Sequence, residues 1–249
     1  MVTPAMPAPH PRAPAAAACR VGFAAAPEGT RLARASAGAP WRVVRARAAP
    51  RCEVVLVQTR GGLIDGDRWR LEVEAEPGTR AALRSVGATV IHPGDCFVRA
   101  RLHAGAGARL GQRSAGLILR PGARLRSTTV IRADRDGVAA AMEVVGLAGL
   151  SGGVLRLVAL HGEDVLLDER TRLDGDRSRS WRMGRFTHIG TVVAVGDPSR
   201  LREGRWRSRL PASAGMANPR PGCLLIRALG RSIEELDLFL GPLTEEITQ

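Results

Sequence analysis

Trp69-Arg70-Leu71-Glu72-Val73-Glu74, then Pro77-Gly78-Thr79, then Ala81-Ala82-Leu83-Arg84-Ser85-Val86-Gly87: this stretch decides the fold. Trp69, Leu71 and Val73 alternate with Arg70, Glu72 and Glu74, the period of a half-buried strand. Pro77 presets φ and Gly78 accepts a positive φ, so the chain turns into a second strand that runs to Gly87. The unit recurs. Gly78 and Gly87 lie 9 positions apart, as do Gly107 and Gly116 and then Gly137 and Gly146, and the leading glycines are spaced 29 and 30 positions. Residues 98–103 and 128–133 supply the alternating strand ahead of the second and third pairs, and a fourth unit turns at Gly162. Short strands repeated at this period imply stacked layers, each covering its neighbour's apolar face.

Outward from that core, residues 41–173 read as strand after strand, with Val54-Val55-Leu56-Val57 a short run suited to burial. The last third changes character. Residues 188–195 form a strand, and Asp197-Pro198 opens a helix expected to run to about Leu210. Residues 223–229 form another strand, after which Ser232 and Glu235 make a capping box for a final helix with Ile233, Leu236 and Leu240 on one face. The expected architecture is therefore mainly β: β-helix-like layers of short strands to about residue 180, then a small α/β portion with two helices. Residues 1–18, rich in alanine and proline, read as a disordered extension, and 19–249 as one domain.

Composition narrows the function classes. No run approaches 18 apolar residues, and Pro4, Pro7, Pro9 and Pro11 interrupt any secretory signal, which points to a cytoplasmic protein. The formal charge is +13, yet all 37 basic residues are arginine, spread evenly and often at every second position, as on the solvent face of strands. Aromatic residues make up only 3% of the chain, too few for base-stacking platforms, so an acidic protein partner fits this charge better than nucleic acid. The four cysteines, Cys19, Cys52, Cys96 and Cys223, are dispersed and form no C-x-x-C pair, which reads as reduced, buried thiols. No nucleophile–base–acid set is visible. Gly61-Gly62 with Gly66 lacks the lysine and helix of a phosphate loop, so an enzyme is disfavoured.

Six segments carry a family resemblance. Gly61-Gly62-Leu63-Ile64-Asp65-Gly66-Asp67 leads into the alternating strand, and Pro77-Gly78 is followed by Gly87-Ala88-Thr89. Further on come Leu117-Ile118-Leu119 with Pro121-Gly122-Ala123-Arg124, Leu166-Leu167-Asp168-Glu169-Arg170 and Gly190-Thr191-Val192-Val193. Ala214-Gly215 and residues 222–230 complete the set. In that order and spacing, over roughly residues 20–247, they resemble the urease accessory proteins of the UreD (UreH) family. The chain departs from the family pattern at residues 89–94, 110–116 and 150–153, so it resembles a divergent member. The resemblance implies a non-catalytic scaffold that binds apo-urease and UreF, with the GTPase UreG acting through UreF. Ni²⁺ would be cargo rather than a tightly bound cofactor.

The resemblance also implies an internal nickel channel, whose polar positions fall on Asp67, Thr89, Glu143 and Glu169. Two roles are open to Asp67 at this stage: a channel carboxylate, or a cap on the backbone of the turn formed with Gly61, Gly62 and Gly66. For Glu169 the plain alternative is an ion pair with Arg170 or Arg172. A separate cluster, His92, Asp95 and Cys96, holds three side chains competent to bind nickel, but its spacing fits no familiar metal loop and equally suits a turn with a buried cysteine. His10, His103, His161 and His188 are isolated. A standalone metal-binding protein and an arginine-rich nucleic-acid binder remain the competing classes.

Overall fold

The computed structural model describes residues 16–39, 41–47, 51–174, 186–197, 201 and 210–249. Strands β1 (Ala16–Ala26) and β2 (Gly29–Ala37) pair antiparallel, as do β3 (Trp41–Arg47) and β4 (Cys52–Gln58). Three coils follow. The first is β5 (Arg68–Ala75), β6 (Arg80–Val86) and β7 (Thr89–Ile91); the second is β8 (Gly94–Ala104), β9 (Arg109–Arg113) and β10 (Leu117–Leu119). In the third, β11 (Ala123–Ala133) passes into one longer strand, β12 (Val138–Leu147). A hairpin of β13 (Gly152–His161) and β14 (Asp164–Asp174) comes next. Strands β15 (His188–Gly196), β16 (Ala214–Ala217) and β17 (Cys223–Gly230) and helix α1 (Ile233–Ile247) complete the described chain.

The coils stack as parallel ladders, building two facing sheets. The first sheet runs β14-β13-β11-β8-β5-β1-β2; the second runs β16-β17-β15-β12-β9-β6-β4-β3, with β7 and β10 extending it beside β12. Both expected features, mainly β structure and stacked layers, are present. Register explains the repeat: Arg68 pairs with Phe97, and Arg80 with Arg109, which in turn pairs with Val138, each a step of 29 residues. The left-handed turn position therefore falls at Gly78, Gly107 and then Asp136, with φ of 72°, 65° and 58°. The third glycine expected there, Gly137, stands one residue later, because Asp136 tolerates positive φ in its place. Gly146 is no turn either; it pairs with His188 inside the sheet.

The bend between the two strands of each coil in the second sheet shortens steadily. Arg84, Arg113 and Met142 are in register on one side of it, and Thr89, Leu117 and Val145 on the other. They lie five, four and then three positions apart, so by the third coil the bend has vanished into the continuous strand β12.

One boundary moves. The extension was expected to reach residue 18, but Ala16, Ala17 and Ala18 lie in β1, parallel to Arg68, Trp69 and Arg70, with Ala17 buried. Small side chains let the strand close against the first coil. The C-terminal α/β portion is continuous with the stack: β15 pairs with β12 and β17 with β15, extending the second sheet. Among the described residues there is one helix, α1, since most of the helix expected over residues 197–210 lies outside them. No helix among the described residues is long and apolar enough to cross a membrane.

Helix α1 starts as the sequence reading expects, with Ser232 Oγ accepting from Glu235 N at 3.1 Å. The Glu235 carboxylate reaches past the cap to Arg231 N, at 2.7 Å. Leu236 and Leu240 bury against the outer face of the second sheet, where Gly190 and Gly230 leave room for them. Arg113 pins the helix, its Nε donating to Asp237 Oδ1 at 2.7 Å and its Nη1 to Glu245 at 3.3 Å. A Cβ on Gly190 would stand 2.4 Å from Leu240 Cδ1. Gly190→Val is therefore expected to lift the helix and cost about 1–3 kcal/mol, read as a lower midpoint in thermal unfolding followed by circular dichroism. An unchanged midpoint would mean that the helix does not pack there.

Candidate functional site

Alternation along each strand sends every second side chain into the space between the sheets. Most of these are apolar, but one row is not. Arg84, Arg113 and Met142 are in register, so the next residues inward are Ser85, Ser114 and Glu143. Glu143 pairs with Thr191, and Thr191 with Arg227. The row thus crosses five strands, a span of about 20 Å at the usual strand spacing. The opposite sheet answers with Ser127, Thr129, Glu169 and Thr171, all turned inward.

Three contacts organise this interior. Ser127 Oγ donates to Glu143 Oε1 at 2.9 Å, bridging the sheets. Thr89 Oγ1 donates to Gln58 Oε1 at 2.6 Å. At the other end Arg227 donates from Nη1 to Glu169 Oε1 at 2.7 Å and from Nη2 to Thr171 Oγ1 at 2.8 Å. Between them lies a cavity of about 80 Å³, lined by Ser85, Thr89, Ser114, Glu143 and Thr191 and walled by Trp69 and Leu157. That is room for several water molecules. Trp41 closes one side edge-on to Trp69, with ring centroids 5.0 Å apart.

Glu143 is the unusual member. It lines the cavity, and burial raises its pKa above the ordinary carboxylate value, with the Ser127 hydrogen bond pulling the other way. Among the described residues no cation pairs with it; its one hydrogen bond is to a neutral hydroxyl. Further atoms along the interior lack a hydrogen-bond partner among the described residues: Gln58 Nε2, Trp69 Nε1, Glu169 Oε2 and Arg227 Nε. A folded chain retains such groups only against a cost.

The architecture and the spacing of its segments agree with a known family model. The model described as UreD urease accessory protein matches residues 15–249. The chain belongs to the UreD family. It is 32% identical over 245 residues to the urease accessory protein UreD of Chromohalobacter salexigens, covering 86% of this chain and 78% of that protein. It is also 32% identical over 150 residues to the UreD of Xanthobacter autotrophicus, covering 59% of this chain and 50% of that protein. Membership in a family of urease accessory proteins supports a role in urease maturation.

Within this UreD-family chain the four expected channel positions separate. Thr89 and Glu143 share the cavity wall. Glu169 faces the same interior, but its partner is Arg227 on another strand, not Arg170 or Arg172. Alternation explains this: residues one and three places along a strand point to the opposite face. Asp67 lies apart from the cavity. It is fully buried in the Gly61-Gly62-Gly66 turn, where its Oδ2 accepts from Ile64 N at 3.1 Å and its backbone bonds Ile64 and Phe97. Gly62 packs so closely, with φ of 129°, that a Cβ would meet Val90 O at 2.1 Å.

His92, Asp95 and Cys96 do not come together as ligands. Cys96 is buried and donates from Sγ to Ile64 O at 3.1 Å; His92 Nε2 faces Gly61 O at 3.2 Å; Asp95 N donates to Asp65 Oδ1 at 2.7 Å. Burial, and then the charges of Asp67, Asp65 and Asp95, push the Cys96 thiol up to about 12, so it stays protonated at neutral pH. Among the described residues no group of three His, Cys, Asp or Glu side chains stands close enough to hold a metal ion.

The serines, Thr191 and Arg227 escaped the sequence reading, although part of the signal was there: Ser85, Ser114 and Glu143 are spaced by 29 residues twice.

Two outcomes follow from this geometry. Asp67→Ala leaves the Ile64 N–H without its acceptor and should destabilise by about 1–3 kcal/mol in chemical unfolding. The Glu143 pKa is raised on folding, so the folded state holds that proton more tightly, and stability falls as pH climbs from the ordinary carboxylate value through the raised one. Glu143→Gln should therefore unfold at a higher temperature than the native chain at neutral pH, with the difference vanishing in acid. An equal effect at both pH values would disprove the burial argument.

Proposed function

We propose that this protein is a non-catalytic scaffold for urease maturation that conducts Ni²⁺ through the space between its sheets toward apo-urease. In this reading it works in the cytoplasm in a complex with UreF, and with UreG through UreF. Family membership supports the maturation role. The observation that carries the finer reading is Glu143: an enclosed carboxyl with no cationic partner in a polar row. Such a group is costly as an anion and is stabilised by a passing cation. Oxygen donors on serine, threonine and glutamate bind a borderline metal weakly, which suits transfer better than storage. The raised pKa favours the neutral form of the empty site, so cation binding would be coupled to proton release. Glu169, neutralised by Arg227, would close one end of the row or yield it to the metal when the pair opens.

The test isolates Glu143 because Asp67 is structural, and its loss would be ambiguous. Urease genes are co-expressed with native or Glu143→Gln accessory protein at limiting nickel, and the nickel content and activity of purified urease are measured. A several-fold reduction in both is expected, with copurification of UreF retained. Unchanged nickel content in a folded variant would remove the interior route. Stoichiometric nickel binding by the isolated chain that is lost in His92→Ala would instead favour a standalone metal-binding protein.

A further inference from the structure

The outer face of the first sheet carries many arginines, and only some are neutralised within the chain. Arg20, Arg132 and Arg156 each hold a carboxylate: Glu72 at 2.8 Å, Glu163 at 2.6 Å and Asp168 at 2.7 Å. Arg68, Arg99 and Arg126 are exposed and make no such pair among the described residues. They sit on β5, β8 and β11, three adjacent strands. Arg68 and Arg126 are in register with Phe97 from its two neighbouring strands, and their guanidinium carbons stand 4.9 and 5.6 Å from its ring centroid. Arg99 is two residues along β8 on the same face, paired with Arg70.

This arrangement is preordered and electrostatically unsettled. Two guanidinium groups held on one ring lose little further freedom on binding. Partial burial, then the like charges of Arg101 and Arg70, lower the Arg99 pKa. Arg101 and Arg124 on the same strands are also exposed and without an ion pair among the described residues, but only Arg68 and Arg126 are held against an aromatic ring.

We propose that this face receives a carboxylate-rich segment of a partner protein, gripped by Arg68, Arg99 and Arg126. Guanidinium forks match carboxylates in bidentate geometry. Arg68 and Arg126 are two strand spacings apart, about 10 Å, which two or three neighbouring acidic residues of one segment can cover. A nucleic acid fits less well. Phe97, the aromatic side chain on this face among the described residues, is engaged by both guanidiniums and is not open for base stacking. The proposal does not rest on the interior route, since these side chains leave the opposite face of their strands.

The test is fluorescence anisotropy of a labelled octaglutamate peptide titrated with the full chain at low salt. The variant Arg68→Gln/Arg99→Gln/Arg126→Gln should weaken binding about tenfold or more. The variant Arg20→Gln/Arg132→Gln/Arg156→Gln, with the same change of net charge, should weaken it by less than about threefold. All six positions are on a strand surface, and circular dichroism melts verify that both variants fold. Equal losses in the two variants would overturn the proposal, because net charge alone would then explain binding. So would no binding by the native chain, or tighter binding of a duplex of about 20 base pairs that the first variant abolishes. A salt-dependent dimer in sedimentation, lost in the first variant, would assign the face to a second copy and overturn it too.

Discussion

A parallel ladder closes only if the chain returns, after each circuit, to the same height one strand further along. That requirement governs the whole molecule. Here a circuit takes 29 residues through both sheets, and the backbone hydrogen bonds of one coil can be made only by the next. The step places like positions above one another, so any property of one residue is multiplied into a column. Cys52, Ala81, Leu110 and Ala139 form such an apolar column within the main core. Ser85, Ser114 and Glu143 form the polar one. The interior row is thus a by-product of register as much as of any single side chain.

Because sequence period and coil length are the same quantity, much of the fold could be read before any coordinates. The alternation around Trp69, the turn at Gly78 and the Ser232 cap all rest on local physics, and each appears where local physics puts it. What escaped depends on distance along the chain. The parallel pairing of β1 with β5 joins residues 52 positions apart, and nothing in an alanine-rich segment announces that partner. The same holds for Arg227 with Glu169, separated by 58 positions. The third turn was misplaced by one residue because glycine was taken as the marker, whereas the requirement is a positive φ that Asp136 also meets.

The candidate site was legible in part for the same reason. Thr89 and Glu143 are drawn together by the stack, while Asp67 and Glu169 are held by a turn and by an ion pair. A carboxylate in a resembling motif does not announce whether its charge is already spent on the backbone. Asp67 spends it on Ile64 N; Glu143 has only a hydroxyl. The two faces of the sheets divide the remaining work: the inner face is small, polar in one row and enclosed, while the outer face carries the charge. Helix α1 covers one outer face and leaves the arginine-bearing one open.

The shrinking bend of the second sheet sets a limit on size. It spends one residue per coil, from five to four to three, and at three the segment between Met142 and Val145 is already fully extended strand. A fourth coil on the same plan would have to bridge the same gap with two residues, which an extended backbone cannot reach. The chain instead reverses direction at β15 and is paired antiparallel from there on. The bend therefore works as a counter: it permits three parallel turns of the stack and then runs out, and beyond β12 the interior is enclosed by the antiparallel strands β15 and β17.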